Sequence, residues 1–161
     1  MAARLRAPTA RLTSRTVNLS AVQCLMTAYQ TNLRGITPQQ LEGFFVGWTN
    51  PPTAVTHLRI LEGSAYIVLA LEGGRVIGFV SAISDGVLSA YISLLEVLPE
   101  YQGRGVGREL MTRMDALLEG LYMIDVLCDA DVLFFYEKLG FRAAGGAMIR
   151  RYDHQSGKPT R

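Results

Sequence analysis

The sequence predicts a single α/β domain, on three observations. Apolar, β-rich runs begin at residue 65, a helical stripe follows a glycine-rich loop at residues 102–107, and 161 residues of 49% hydrophobic composition are enough to bury one core. Neither an internal repeat nor a linker divides the sequence. We expect a flexible tail over 1–13, a domain over 14–152 whose N-terminal part, 14–64, is helical, and a second tail over 153–161.

Charge and hydropathy exclude two kinds of partner. The net charge is only +2, and no run of five or six like charges occurs, so nucleic-acid binding is not expected. The longest apolar stretches, such as residues 65–71, are far shorter than the roughly 20 residues that cross a bilayer. We therefore expect a soluble protein without a membrane partner.

The two cysteines, Cys24 and Cys128, lie far apart and form no C-x-x-C motif. Neither a disulfide framework nor a zinc site is indicated, no metal is expected, and a reducing cytoplasm fits this usage. Both thiols are expected to be buried as small apolar side chains. Five arginines precede the first acidic residue, Glu42. This basic start fits a solvated tail, with an organelle presequence as the alternative.

Three helices are predicted before residue 65. Apolar residues recur at helical spacing over about 20–32. Thr37 precedes a proline at the first helical position and a glutamine placed for a capping box, which predicts a second helix running into Phe44 and Phe45. After a break at Asn50 and two prolines, a short helix is expected over Thr53–Leu61.

The next segment predicts three long strands. Tyr66–Leu71 and Val76–Ile83 are joined by a turn with paired glycines, which predicts an antiparallel hairpin. After a second turn at Asp85, Ser89–Leu98 forms the third strand. It ends at Pro99, which cannot donate to a sheet ladder.

The remaining elements alternate between helix and strand. A stripe of apolar residues from Val106 to Leu118 predicts a helix that ends near Gly120. Tyr122–Leu127 is a candidate buried strand, and Val132–Leu139 a short helix capped by Asp129 or Asp131 and ended by Gly140. Ala147–Tyr152 is expected to form the last strand.

The glycine-rich loop after Pro99 predicts an anion site. A strand, a loop with glycine at 103, 105 and 107, and a helix bring unpaired main-chain N–H groups together at a helix N-terminus. Glycine lets the backbone approach phosphate oxygens, and Arg104 and Arg108 add positive charge. A flexible turn is the alternative for the glycines alone. Arg108 stands where both the dinucleotide fingerprint and the nucleotide P-loop require glycine, so neither pattern is met.

Two segments give the chain a resemblance to a known family. The loop matches the Q/R-x-x-G-x-G/A signature of the GNAT superfamily of N-acetyltransferases, and residues 134–141, FFYEKLGF, are similar to a segment that these enzymes carry one strand and one helix later. The resemblance covers about Ala65–Tyr152. It implies a GNAT-like fold, α/β with a mixed, mostly antiparallel sheet of about six to seven strands and helices on both faces. Residues 65–152 would be the acetyl-CoA-binding core, and residues 14–64 would cover the substrate.

The resemblance also implies which residues hold acetyl-coenzyme A. The backbone of Leu95 and Val97 would pair with the pantetheine arm, and an amide near Val97 or Leu98 would bond the thioester carbonyl where the fourth strand splays from the fifth. The pyrophosphate would lie on Gln102, Gly103, Arg104, Gly105, Val106, Gly107 and Arg108. Asp129 and Phe135 complete the expected coenzyme contacts. Asp129 stands where the family often has asparagine, so a helix-capping role is its alternative.

The resemblance implies a catalytic acid, and the candidate strand supplies a base. Tyr136 matches the family's frequent general acid, whose phenol protonates the departing thiolate. Glu96 is the nearest carboxylate on the candidate strand and is our candidate for the base that neutralises the attacking amine, with a solvated ion pair as its alternative. Further candidates for the base are Tyr91, Ser93 and Asp125. His57 and His154 lie outside every motif and are expected to be solvated or capping.

The function expected from these residues is acetyl transfer from acetyl-CoA to a primary amine of a small molecule or peptide, by direct attack in a ternary complex. The alternative is a catalytically inactive module that binds coenzyme A for regulation. The acceptor amine is left open by the sequence, and a homodimer is expected only from the tendency of sheet edges to pair.

Overall fold

The computed structural model describes residues 26–158 and shows one five-stranded mixed sheet in that range. The strands lie in chain order across the sheet: β1 Ala28–Gln30, β2 Tyr66–Glu72, β3 Arg75–Ser84, β4 Ser89–Val97 and β5 Met123–Val126. Neighbours are antiparallel except β4 and β5, which are parallel. The helices are α1 Ala54–Glu62, α2 Val106–Leu117 and α3 Leu133–Glu137. The predicted fold class is confirmed, with fewer strands in the described range than the six to seven expected.

Strands β2 and β3 form the predicted hairpin, because the turn between them has the residues that it needs. Gly73 and Gly74 have φ of 58° and 81°, the left-handed conformation of a two-residue hairpin turn. The register pairs Glu72 with Arg75 and continues to Tyr66 opposite Ala82. This hairpin is the centre of the sheet.

Both faces of the sheet are covered. On one face α2 packs through Leu110, Met111 and Met114 against Val80 and Ile92. On the other face, residues from the segment before β2 bury an aromatic core, whose members include Leu41, Phe44, Phe45, Leu61 and Phe79. The sheet therefore supplies the middle layer of a three-layer structure.

Helix α2 lies close against β3 at Gly78. A Cβ there would come within 3.1 Å of Leu110 Cδ1 and 3.2 Å of Val106 Cγ1, closer than side chains normally allow. Burying Leu110 completely stabilises this contact by roughly 2 kcal/mol. The packing fixes the N-terminus of α2, and with it the glycine-rich loop.

The short helix predicted over Thr53–Leu61 is confirmed as α1, but the region before it differs from the prediction. Thr53 Oγ1 accepts a hydrogen bond from the Thr56 N–H at 3.2 Å. The predicted second helix is wrong beyond its first turn: only a 3₁₀ turn, Pro38–Leu41, forms. Gly43 and Phe45 then take φ of 92° and 62°, which no helix can accommodate.

The predicted helix over 20–32 is wrong in the part that the structure describes. Residues 20–25 lie outside the described range, and Ala28–Gln30 forms β1 instead. Here Tyr29 pairs with Ala70 of β2, so the free edge of β2 gains ladder hydrogen bonds that a helix would leave unmade.

Two expectations near the C-terminus are also wrong. Ala147–Tyr152 forms no strand; Tyr152–His154 is a 3₁₀ turn, and the segment before it borders a cleft beside β4. The N-cap of helix α3 is Val132, which makes no side-chain cap hydrogen bond, and the Asp129 main-chain carbonyl accepts from the Val132 N–H at 3.1 Å. Neither Asp129 nor Asp131 therefore caps the helix through its carboxylate.

His57 is completely buried, so its expected solvated or capping role is wrong. Its ring lies 4.3 Å from that of Phe79 and 4.9 Å from that of Phe45, measured between centroids. Neither ring nitrogen has a partner of hydrogen-bond geometry among residues 26–158. Burial lowers the pKa of His57 to about 4, and the Leu41 main chain opposes this shift only in part.

Cys128 is a free, half-buried thiol, whereas Cys24 lies outside the described residues. His154 lies 3.3 Å from the Asp153 carboxylate at the surface. In the described part of the chain, the helices are all too short or too polar to cross a membrane.

Candidate functional site

Strands β4 and β5 pair over only part of β4. The parallel register runs from Ser89 opposite Met123 to Ile92 opposite Val126 and stops there. β4 continues to Val97 without a neighbour on that side in the described structure. The ladder to β3 is interrupted at the same place, since Ser81 pairs with Leu94 and Ala82 with Ile92, leaving Ser93 as an extra residue. Such a bulge bends the strand, and here it accompanies a wedge-shaped gap in the sheet.

The gap contains a cleft of about 750 Å³. Phe44 and Leu98 from the aromatic core line it, and so do Ile92 and Tyr136 from the core under α2. The cleft therefore connects the two faces of the sheet. A ligand in it meets β4 along its unpaired length.

The glycine-rich loop stands at one end of the cleft. Gly103 and Gly105 have φ of 72° and 84°, which side chains rarely adopt, and Gly105 is the N-cap of α2. Within residues 26–158, the main-chain N–H groups of 103–108 have no acceptor. The loop thus presents a set of free donors at a helix N-terminus, which suits an anion such as a pyrophosphate.

The side chains of the loop have distinct positions. Gln102 lines the cleft, and its Nε2 donates to the Val97 carbonyl at 2.9 Å, which ties the loop to the end of β4. Arg104 lies over the ring of Tyr101, 4.8 Å from its centroid. Arg108 is exposed, and neither arginine has an ion-pair partner in the described chain. Their charges are therefore available to a ligand.

Other residues expected at the coenzyme surround the same end. Leu95 and Val97 are half-buried on β4 and line the cleft, as does exposed Asp129. A Cβ on Gly107 would lie 3.7 Å from Val97 and 3.8 Å from Phe135, so these three residues are neighbours. The Leu98 N–H donates to the Ile77 carbonyl at 2.9 Å, which leaves Val97 as the candidate amide for a thioester carbonyl.

Tyr136 faces the cleft from α3 and is 7% exposed. Its ring packs edge-on against Phe135 and Phe141, at 5.1 and 5.7 Å between centroids. Burial, with smaller effects of Cys128 and Tyr91, raises the pKa of Tyr136 to about 12. The phenol therefore keeps its proton throughout the neutral range and can act as a donor.

Glu96 lines the cleft from β4, and the loop 43–50 holds its side chain in place. Its Oε2 accepts a hydrogen bond from the Phe45 N–H at 2.7 Å. No second hydrogen bond to the carboxylate occurs among residues 26–158, so Oε1 is free for a ligand. Burial raises the pKa of Glu96, and the Phe45 hydrogen bond opposes this effect. The alternative of a solvated ion pair is not what the structure shows.

The further candidates for the base, Tyr91, Ser93 and Asp125, do not match the position of Glu96, which lines the cleft with one carboxylate oxygen free. Ser93 lines the cleft, but its hydroxyl is 3.0 Å from that of Ser81. Tyr91 and Asp125 face each other across β4 and β5, and they line a second cavity along the outer side of β5.

Several cleft residues were missed by sequence reasoning. The loop 43–50 and the segment 148–155 both border the cleft. They are joined where the Asn50 N–H donates to Gln155 Oε1 at 2.9 Å and Asn50 Nδ2 to the Tyr152 carbonyl at 3.4 Å. These contacts join residues about a hundred positions apart, and no local motif indicates them. The local signal in the sequence was the pair of glycines at 43 and 47. Both have positive φ in the structure, as an unusual loop requires.

A comparison with known families agrees with this geometry. A family model of the acetyltransferase (GNAT) domain matches residues 63–143, which include β2 to β5, the glycine-rich loop and Tyr136. The chain belongs to the GNAT superfamily of acetyltransferases. The predicted family is confirmed.

Individual relatives of this GNAT chain are named as acetyltransferases. A crystal structure from Deinococcus radiodurans, assigned as an acetyltransferase, is 52% identical with a TM-score of 0.81, and the match covers 83% of this chain and 94% of that one. The uncharacterized N-acetyltransferase ycf52 of Porphyra purpurea is 30% identical over 73% of this chain and 71% of its own length. N-alpha-acetyltransferase RimI of Mycobacterium tuberculosis is 30% identical over 70% and 73%. These relatives support an enzyme and do not favour the inactive module.

Proposed function

We propose that this GNAT domain transfers an acetyl group from acetyl-coenzyme A to a primary amine by direct attack in a ternary complex. The observation that carries the proposal is the gap between β4 and β5, which has free main-chain donors at one end and both Tyr136 and Glu96 along it. When bound, acetyl-coenzyme A supplies the acyl group as an activated thioester.

The residues at the loop end fit the coenzyme. Its diphosphate would be held by the free N–H groups of residues 103–108, with Arg104 and Arg108 adding charge-assisted contacts. Among residues 26–158, the main chain of Leu95 and Val97 has no strand partner on the cleft side, and its one bond there is from Gln102 Nε2 to the Val97 carbonyl. It would hold the pantetheine arm as an added strand. Asp129 and Phe135 border the same space.

Tyr136 would act as the general acid. Its pKa of about 12 means that the phenol is protonated when the reaction begins. As the C–S bond breaks, the phenol stabilises the departing sulfur by a hydrogen bond and transfers its proton. A buried donor is more effective than an exposed one because no water competes for it.

Glu96 would act as the general base. An alkyl ammonium of ordinary pKa near 10 must lose a proton before it can attack, and a carboxylate with a raised pKa is a better acceptor than an exposed one. Oε2 is already bonded to Phe45, so Oε1 is the oxygen that would take the ammonium proton before attack. The second amine proton, released as the N–C bond forms, would restore the proton that Tyr136 gives to the thiolate. The Phe45 hydrogen bond orients the carboxylate.

A cytoplasmic location is part of the proposal. It rests on the small number of cysteines and on Cys128, which is a free thiol in the structure.

The test is thiol release from acetyl-coenzyme A, measured on the purified protein with a panel of primary amines. The proposal expects release that depends on the amine, with one N-acetylated product for each thiol. Calorimetry with coenzyme A is run in parallel. Heat of binding without turnover on any amine would favour the inactive module, and absence of both would contradict the proposal.

A further inference from the structure

The half of the cleft beyond Glu96 has walls of its own. One wall is the loop 43–50 and the other is the segment 148–155, and the hydrogen bonds of Asn50 to Gln155 and to the Tyr152 carbonyl hold them together. The glycine-rich loop is at the opposite end, where only Gln102 among residues 102–108 lines the cleft. This half is therefore available to the acceptor, provided that the proposed function is correct.

Charges in the acceptor half have opposite signs. Glu96 is the carboxylate at its base, and Arg151 lines it from the C-terminal segment, whereas Arg150 lines both the cleft and the second cavity. Both arginines are exposed, and neither has an ion-pair partner among residues 26–158. A guanidinium binds a carboxylate through two parallel hydrogen bonds, which makes these side chains suited to an anionic group on the acceptor.

The acceptor half also exposes apolar surface. Trp48 is 37% exposed and Tyr152 is 64% exposed, and both line the cleft with Val46 and Met148. Exposed apolar side chains gathered at one concave site indicate a ligand with an apolar group. Trp48 is held in place by Phe45, whose ring lies 5.1 Å from its own.

We infer that the acceptor is a small amino acid-type molecule, with a primary amine, a carboxylate and an apolar side chain. Glu96 receives the amine, Arg151 binds the carboxylate, and Trp48 and Tyr152 contact the apolar group. Two other classes fit less well. A polyamine would bring cations toward two arginines, and an unmodified aminosugar would leave the apolar walls unused.

The test compares amines that differ only in the carboxylate. Phenylalanine and phenethylamine form one such pair, and leucine and isopentylamine form an aliphatic pair. With acetyl-coenzyme A saturating, we expect kcat/KM for each amino acid to exceed that of its decarboxylated partner by about tenfold or more. Arg151→Gln should bring this ratio close to one. Arg142→Gln, an exposed arginine that lines the second cavity and not the cleft, is the control and should leave the ratio unchanged.

Binding without turnover supplies the second readout. Calorimetry should detect N-acetylphenylalanine binding to the chain, should detect N-acetylphenethylamine more weakly, and should lose the difference in Arg151→Gln. Equal or faster turnover of the decarboxylated amines, or better turnover of peptide amides than of free amino acids, would overturn the inference while the proposed function stands. Absence of thiol release with every amine would overturn the proposed function itself.

Discussion

The carboxylate of Glu96 accepts a hydrogen bond from the main-chain N–H of Phe45 at 2.7 Å, and Phe45 has a φ of 62°. It is the sole non-glycine residue with positive φ within 26–158. A bulky residue in this conformation costs roughly 1–2 kcal/mol, which the burial of its ring and this hydrogen bond help to offset. Strain at the residue that orients the candidate base fits a functional position.

Replacing Glu96 with glutamine tests the base. The amide oxygen can still accept from Phe45, but it cannot take a proton, so we expect kcat to fall by about a hundredfold or more. Because burial raises the pKa of Glu96, wild-type kcat/KM should fall as the pH drops through a value above that of an ordinary glutamate. The acid limb of the pH profile should disappear in Glu96→Gln. Glu119→Gln, at an exposed position, is the matched control; a limb that survives in Glu96→Gln would assign it to another group.

Replacing Tyr136 with phenylalanine tests the acid. The ring packing is retained and the donor is lost, so kcat should fall by about a hundredfold or more while KM for acetyl-coenzyme A changes little. Steady-state kinetics of thiol release supply both constants. Tyr122→Phe, at a position 82% exposed, should be fully active. Unchanged kcat in Tyr136→Phe would remove the phenol from the mechanism.

A pair of glycine substitutions separates backbone strain from coenzyme binding. Gly103 and Gly86 both have φ of 72°, and a Cβ added to either would meet no atom within 4 Å. Replacing either glycine with alanine should therefore lower the free energy of unfolding by about 1 kcal/mol, through backbone strain alone. Urea unfolding measures that cost. Calorimetry with coenzyme A should show weaker binding for Gly103→Ala alone. Equal affinities in the two variants would mean that the loop does not hold the coenzyme.

His57 makes the stability depend on pH. Its pKa is about 4 in the folded chain and near 6.5 when unfolded, so the unfolded state binds more protons below pH 6.5. The contribution of neutral His57 to the free energy of unfolding is fully present above pH 6.5. It is lost as the pH falls from 6.5 through 4, by up to roughly 3 kcal/mol. Urea unfolding at several pH values measures it. His57→Leu should flatten the dependence, whereas His154→Leu, at the surface, should not; a slope that persists in His57→Leu would have another origin.

Local features of the sequence predicted the fold and placed the glycine-rich loop and Tyr136 at the cleft, where we propose that the coenzyme binds. The paired glycines at 73 and 74 specify their turn, and the apolar stripe of α2 follows directly from helical spacing. The glycine-rich loop and Tyr136 lie within short motifs whose geometry is set by neighbouring residues. These parts needed no knowledge of distant contacts.

The acceptor end depends on contacts between distant residues. Phe45 takes its conformation beside Glu96, fifty-one positions away, and Asn50 meets Gln155 across 105 positions. β1 forms because the edge of β2 has backbone groups with which it can pair. His57 is buried by the rings of Phe45 and Phe79, which come from separate segments. Helical periodicity and capping rules do not register such partners, so the sequence predicted helices where the structure has a strand and a strained loop.

The proposed function depends above all on the main-chain N–H groups of residues 103–108 binding the coenzyme diphosphate. An amide NMR titration with coenzyme A observes those groups directly. We expect the largest chemical-shift changes on the amides of residues 103–108, and we expect that pantetheine, which lacks the diphosphate, does not reproduce them. Changes centred elsewhere in the chain, or equal changes with pantetheine, would contradict this mode of binding.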